Sequence, residues 1–387
     1  MKHGNSVLGG YADTIFDVMS GLARQHQSVN LGQGFPDDPG PEDVRRAAAD
    51  YLMTGHNQYP PMLGIPDLRQ AVAEHNKRFY GLEVDWQTEV MVTSGATEAL
   101  GDCLLGLIEP GDEVVLIEPL YDSYIPIVRR AGGIPKLVRL KPPAWDLPRE
   151  ELAAAFGPKT KLLLINSPMN PCSKVFTREE LAFVAELCVK HDVFAVCDEV
   201  YEHLTFDGRP HIPLMTFPGM RERTARIGSS GKTFSVTGWK IGYVTAAAEV
   251  LKPILKAHQF VTFTTAPSLQ WGTAVGLRKD IGYFTGLARD MQAKRDRLAK
   301  GLAEIGFGVM ESHGTYFVTT DFRPLGFNGT DEDFCRHITV EAKVTAVPIS
   351  AFYAGPDAPR HFARFCFCKN DSTLDLALER LARHFRR

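Results

Sequence analysis

The chain has no apolar run long enough to cross a bilayer, no block of like charge, no internal repeat and no low-complexity linker. The first absence leaves no candidate for a membrane-spanning helix, which takes roughly 20 consecutive apolar residues. Residues 1–13 are polar and glycine-containing and carry no signal-peptide stretch, so the cytoplasm is the expected compartment. Net charge is only -3, from 43 Lys and Arg against 46 Asp and Glu. With no basic stripe there is nothing to attract nucleic acid or an anionic membrane, and the expected partner is a small molecule. Cysteine is sparse: the seven are Cys103, Cys172, Cys188, Cys197, Cys335, Cys366 and Cys368. An odd, scattered set argues against a disulfide framework. Cys366 and Cys368 form a C-x-C pair, but in an alternating strand they share one face and no second ligand pair follows, so they read as core and no metal is expected.

What is present is a long, ordinary globular composition. At 387 residues the chain exceeds the size at which one core keeps growing, which predicts two lobes. Between about residues 88 and 250 short apolar runs alternate with helical patterns, the mark of an α/β fold with a mainly parallel sheet between helices. Strands are expected at 90–93, 113–117, 136–140, 162–165, 193–197, 225–228 and 241–246, with helices such as 96–108 and 177–191 between them. Thr177 and Glu180 have the spacing of a capping box. After about residue 285 the pattern becomes α+β: a charged helix to about 305, strands near 308–311, 316–319 and 362–368, and helices near 331–342 and from 372. The expected division is an N-terminal arm, 1–44, joining a small domain, a large domain at 45–285 and a small C-terminal domain at 286–387.

Five segments carry chemistry. In Ser229-Ser230-Gly231-Lys232-Thr233, a lysine sits among small and hydroxyl residues just past a predicted strand. Taken alone it reads as a surface lysine in a flexible loop. A phosphate loop is excluded, because the first glycine of G-x-x-x-x-G-K-[ST] falls on Arg226. The buried run at 193–197 ends in Asp198, placing a carboxylate at the ligand-binding edge of an open sheet, with Tyr201 close behind. Such a carboxylate is either a cap or a partner for a cation such as a pyridinium. Asn170 lies in Asn166-Ser167-Pro168-Met169-Asn170-Pro171, a loop after another strand. Ser94-Gly95-Ala96-Thr97 is a strand-to-helix turn suited to a phosphate. Arg364 interrupts an apolar strand, where a guanidinium needs a partner such as a substrate carboxylate.

Together these segments resemble the class I/II aminotransferases, pyridoxal-phosphate (PLP) enzymes of fold type I, over nearly the whole chain. Asn30-Leu31-Gly32-Gln33-Gly34-Phe35-Pro36-Asp37, Asn57-Gln58-Tyr59-Pro60 and Gly64-Ile65-Pro66-Asp67 are similar to segments of the kynurenine, glutamine and methionine aminotransferases and of N-succinyldiaminopimelate aminotransferases. The resemblance implies that Lys232 holds PLP as a Schiff base and Asp198 pairs with its pyridine nitrogen. It further implies that Asn170 and Tyr201 bond the phenolic oxygen, Tyr121 stacks on the ring, and Ala96, Thr97, Ser229 and Lys240 hold the phosphate. It makes the enzyme a homodimer in which Tyr59 reaches the partner's phosphate site, with Arg364 clamping the substrate α-carboxylate, Gly34 lying where the substrate's backbone end docks, and Asn170 also among the substrate-binding residues. One departure stands out: the family's Asn-Pro-Thr-Gly reads Asn170-Pro171-Cys172-Ser173, so serine occupies a turn position where glycine supplies positive φ.

The implied reaction is ping-pong transfer of an amino group from an L-amino acid to a 2-oxo acid, with Lys232 as general base and PLP as electron sink. A cysteine-S-conjugate β-lyase uses the same carbanion and is the alternative. A ligand-sensing regulator is disfavoured, since no basic helix-turn-helix pattern precedes the first motif. Phe16, Phe35, Tyr121 and Tyr124 read either as an aromatic pocket for a bulky or apolar side chain or as core.

Overall fold

The computed structural model describes residues 2–385. Thr14 opens α1 (Ile15–His26) by accepting the Asp17 N–H on its hydroxyl, which satisfies one of the helix's free donors. After β1 (Val29–Asn30) come α2 (Glu42–Thr54) and α3 (Pro66–Tyr80), the latter started by a proline whose missing N–H costs nothing there. The apolar runs then become β2 (Val90–Ser94), β3 (Glu113–Glu118), β4 (Ile134–Arg139), β5 (Thr160–Asn166), β6 (Phe194–Asp198), β7 (Thr224–Ser229) and β8 (Ile241–Ala246). They form a sheet in the order β2-β8-β7-β6-β5-β3-β4. Only β8 runs antiparallel to its neighbours. Helices cover both faces, which is why the central strands are apolar throughout and do not alternate. These helices are α4 (Gly95–Leu107), α5 (Tyr124–Arg130), α6 (Arg149–Ala155), α7 (Arg178–Lys190), the single turn α8 (Ser230–Thr233), α9 (Ala248–Val261) and α10 (Pro267–Leu277). The capping box expected of Thr177 and Glu180 is present at the start of α7.

The long helix α11 (Ile281–Ile305) leads to a second sheet built from β9 (Gly308–Val309), β10 (Phe317–Asp321), β12 (Val347–Pro348) and β13 (Phe362–Cys366), in the antiparallel order β12-β13-β10-β9. Between them lie α12 (Asp331–His337) and β11 (Val344–Thr345), and α13 (Asp371–Phe385) closes the described chain. β1 pairs in parallel with β11, stitching the N-terminal arm to the C-terminal part. The helix expected over 331–342 ends at His337 and continues as a wider π turn, Ile338–Ala342, where Thr339 Oγ1 bonds back to the Cys335 carbonyl at 2.7 Å. All seven cysteines are buried and unbridged.

A buried charge network underlies β6 and β7. Arg226 donates to Glu199 at 2.5 Å, to Asn76 at 2.7 Å and to Glu202, and lies 4.5 Å from the Tyr80 ring centroid. The residue that excluded a phosphate loop is thus the counter-ion of two glutamates. Burial works against the Glu199 charge, but Arg226 and His211 outweigh it and hold its pKa below the usual range. Beside them His75 Nε2 and His203 Nε2 lie 2.8 Å apart. Burial, the largest cause, keeps both rings neutral, down to about 4 for His75 and about 3 for His203.

The sign of the pH effect follows. An unfolded histidine protonates near 6.5 while His75 in the fold resists until about 4, so its stabilisation is full above 6.5 and lost as pH falls towards 4. Urea unfolding is expected to show lower stability at pH 5 than at pH 7, by about 2 kcal/mol for each of the two rings, with a smaller gap in His75→Phe. Equal stability of the wild type at both pH values would contradict this reading.

Candidate active site

Three adjacent parallel strands end side by side in Asn166, Asp198 and Ser229. Parallel strands present their carboxyl ends to one edge, so residues far apart in sequence meet there. At that edge opens a cavity of about 390 Å³. Gly34, Ala96, Thr97, Tyr121, Asn170, Asp198, Tyr201, Ser229, Lys232, Lys240 and Arg364 all line it. Of the site residues that the resemblance implied, Tyr59 alone lies elsewhere: it is 83% exposed, with its ring edge-on to Phe263.

Asp198 forms the floor. Burial raises its pKa, since a low-dielectric site penalises the charge. Oδ2 accepts the Tyr124 hydroxyl at 2.7 Å and Oδ1 accepts the Val200 N–H at 3.4 Å. These donors orient the carboxylate but bring no positive charge, so the site is built for a cationic ligand group. Asn166 ties two loops together: its side-chain amide donates to the Asp198 carbonyl at 2.8 Å and its Oδ1 accepts the Asn170 N–H at 2.7 Å.

Lys232 stands on α8, directly past β7, where Ser229 Oγ accepts the Gly231 N–H at 3.2 Å and starts the turn. Its Nζ lies 5.8 Å from the Tyr201 ring centroid and 5.7 Å from that of Tyr316. Burial lowers the lysine pKa, which favours the free amine that attacks carbonyls. The phosphate-suited turn at the start of α4 needs Gly95, whose φ is +75°; Lys240 packs so closely that a Cβ there would stand 3.2 Å from its Nζ. Burial likewise raises the Tyr201 pKa, keeping that phenol a donor.

Arg364, on β13, is buried and donates to Asn170 Oδ1 at 2.6 Å and the Gly32 carbonyl at 2.8 Å. Both acceptors are neutral, and its Nε has no hydrogen-bond partner among the described residues. Burial draws its pKa down to about 10. A buried guanidinium that lines a cavity and meets only neutral acceptors is chemically suited to an anion, and the Phe317 ring centroid 3.8 Å away supports it by a cation–π contact.

The Ser173 departure is real. Its φ is +62°, the left-handed region where a side chain is strained, yet its hydroxyl bonds the Phe317 carbonyl at 2.7 Å and pairs with Thr315 Oγ1 at 2.9 Å. The two hydrogen bonds offset the strain, and Asn170 stays in the cavity. Tyr124 differs from its expected place at the pocket mouth: it is buried beneath Asp198. Its bond to Asp198 is not visible in the sequence, where Tyr124 reads only as one of several aromatics and Asn166 only as a member of a loop motif, because no local pattern shows which side chain a buried carboxylate will select.

The sequence profile of the aminotransferase class I and II family matches residues 26–381. The chain belongs to the class I and II aminotransferases. It is 45% identical to a probable N-succinyldiaminopimelate aminotransferase, DapC, of Mycobacterium tuberculosis over 97% of both chains. Methionine aminotransferase of Escherichia coli is 39% identical over 95% of both. The solved N-succinyldiaminopimelate aminotransferase of Mycobacterium tuberculosis superposes with a TM-score of 0.95 at 45% identity, covering 98% of this chain and 99% of that one. The protein is a PLP-dependent aminotransferase, transferring amino groups between amino acids and 2-oxo acids.

Ser173→Ala keeps the strained backbone and removes both hydroxyl contacts, so a loss of about 1–3 kcal/mol is expected in denaturant unfolding. Ser173→Gly relieves the strain and is expected within about 1 kcal/mol of the wild type. Equal effects of the two substitutions would refute the compensation.

Proposed function

We propose that the cavity holds PLP, with its aldehyde carbon on Lys232 and its pyridine nitrogen on Asp198. The observation that carries this is one cavity containing a lysine whose burial favours the free amine and a buried carboxylate with only neutral donors. When bound, the cofactor supplies an electron sink for the charge left at the substrate's α-carbon. The other roles fall to the chain's own residues.

Asp198, its carboxylate oriented by Val200 and Tyr124, would pair with the pyridine nitrogen and favour its protonated form. Tyr201 and Asn170, which line the cavity, would bond the phenolic oxygen, and Tyr121 would stack on the ring. Ala96, Thr97, Ser229 and Lys240 bind the phosphate through the α4 turn, the β7 end and one ammonium. Arg364 receives the substrate carboxylate, with Gly34 leaving room for its backbone end. Lys232 Nζ, as a buried free amine, would act as the general base that takes and returns the proton at the substrate's α-carbon. The two half-reactions give ping-pong kinetics.

Substrate choice rests on the mouth of the cavity, where Phe16 and Phe35 present aromatic surface. This favours a long or apolar side chain, and the relatives make methionine and N-succinyldiaminopimelate the first donors to try. Met53, Tyr59, Phe260 and Val261 are exposed at 82%, 83%, 81% and 57%. An apolar surface of that kind supports a homodimer in which each Tyr59 serves the other subunit's phosphate site. Cytoplasmic residence is supported by seven unbridged cysteines, and no helix among the described residues is long and apolar enough to cross a membrane.

A panel of amino donors, scored by conversion of the cofactor to its amine form, tests the reading. Wild-type protein is expected to convert with at least one donor and to return with a 2-oxo acid, while Lys232→Ala loses turnover by on the order of 10⁴-fold or more and keeps its fold. Normal turnover in that variant, or pyruvate and ammonia release from S-substituted cysteines outpacing amino transfer, would overturn it.

A further inference from the structure

Behind the phosphate-suited turn lies a charge cluster with no part in the chemistry above. Glu98, in the first turn of α4, reaches back to accept the Ser94 N–H, and its other oxygen lies 2.9 Å from His258 Nδ1 on α9. The opposite ring nitrogen, Nε2, lies 3.1 Å from the Met62 carbonyl. Carboxylate and carbonyl are acceptors only, so both ring nitrogens carry hydrogen and the ring is an imidazolium. Asp102, one turn further along α4 and fully buried, sets a second carboxylate 3.5 Å from Nδ1 and has no hydrogen-bond partner of its own among the described residues. Neither ring nitrogen has a lone pair to spare, which argues against reading the cluster as a metal site.

The connections of this imidazolium give it a role. Through Glu98 it holds the Ser94 amide, the entry to Gly95-Ala96-Thr97. Through Met62 it holds the segment between α2 and α3 that carries Tyr59. We infer that His258 is a positioning residue for cofactor phosphate, its imidazolium clamping the Ser94–Thr97 turn and the Tyr59 segment into one geometry. The inference rests on the PLP reading above and adds a residue that touches neither cofactor nor substrate. The charged groups facing His258 are Glu98 and Asp102, both on α4, while the Met62 segment offers only a carbonyl. Burial disfavours the imidazolium, but the two carboxylates outweigh it and raise its pKa to about 9. In the folded protein the imidazolium, and with it the clamp, therefore persists at neutral pH and is lost as pH rises through about 9.

Holoenzyme stripped of cofactor and titrated with PLP and with pyridoxal, which lacks the phosphate, separates a clamp on the phosphate from general packing. His258→Gln is expected to weaken PLP binding by roughly 10- to 100-fold, the scale of a charge-assisted hydrogen bond, and to leave pyridoxal binding within about threefold. Equal losses for both ligands, or no loss for PLP, would overturn the inference. Asp102→Asn keeps every contact of His258 to Glu98 and Met62, so it serves even if the first variant does not fold. In it the PLP-over-pyridoxal preference is expected to decline at a lower pH than in the wild type; an unchanged pH of decline would count against the clamp. Wild-type protein that bound no PLP at all would instead defeat the proposed function.

Discussion

The carboxylate of Asp198 is the constraint around which the rest is arranged. A buried acid at the end of β6 is costly to ionise, and the fold meets that cost only in part, with a phenol and a backbone amide. The missing positive charge defines what the cavity accepts. On the proposed reading a cationic ring nitrogen would sit on Asp198, and the other groups that line the cavity would then take matching parts: an amine at Lys232, phosphate donors at the α4 turn, and the Arg364 guanidinium. Each of these comes from a different element, and only the closeness of strand ends at one sheet edge brings them together.

Charge is sorted into two layers about β6 and β7. Asp198 faces the cavity, while Glu199, the next residue, turns to the other side and is neutralised by Arg226 together with Glu202. Consecutive acids would repel if they shared a face. Splitting them lets one be satisfied by protein and leaves the other for a ligand. The same division appears at the phosphate side, where Lys240 faces the cavity and the Glu98, Asp102 and His258 cluster stands behind it. Structural charges are paired within the protein, and functional charges are left short of one partner.

Much of this was legible in the sequence because apolar runs of strand length punctuated by glycine and hydroxyl residues mark strand ends, and strand ends are where open sheets bind ligands. Lys232, Asp198 and Asn170 stood out for that reason. Arg364 stood out as a guanidinium interrupting an apolar strand, and the resemblance added Tyr121, Tyr201, Lys240 and Ser229, all of which line the same cavity. Other features were not legible. Tyr124 reads as an aromatic near an entrance until the fold turns it under Asp198. Arg226 reads as a disqualified phosphate loop until two glutamates meet it. Glu98 and His258 are separated by 160 residues and belong to helices whose register no local pattern fixes. Ser173 showed as a departure, but its two compensating hydrogen bonds come from residues over 140 positions away.

The central claim is that Lys232 and Asp198 bracket one cofactor ring. Borohydride reduction of the holoenzyme followed by peptide mass spectrometry tests it most directly. The account predicts a pyridoxyl group on the peptide containing Lys232 and on no other lysine. A label on Lys240 or Lys369, or none on Lys232, would contradict it.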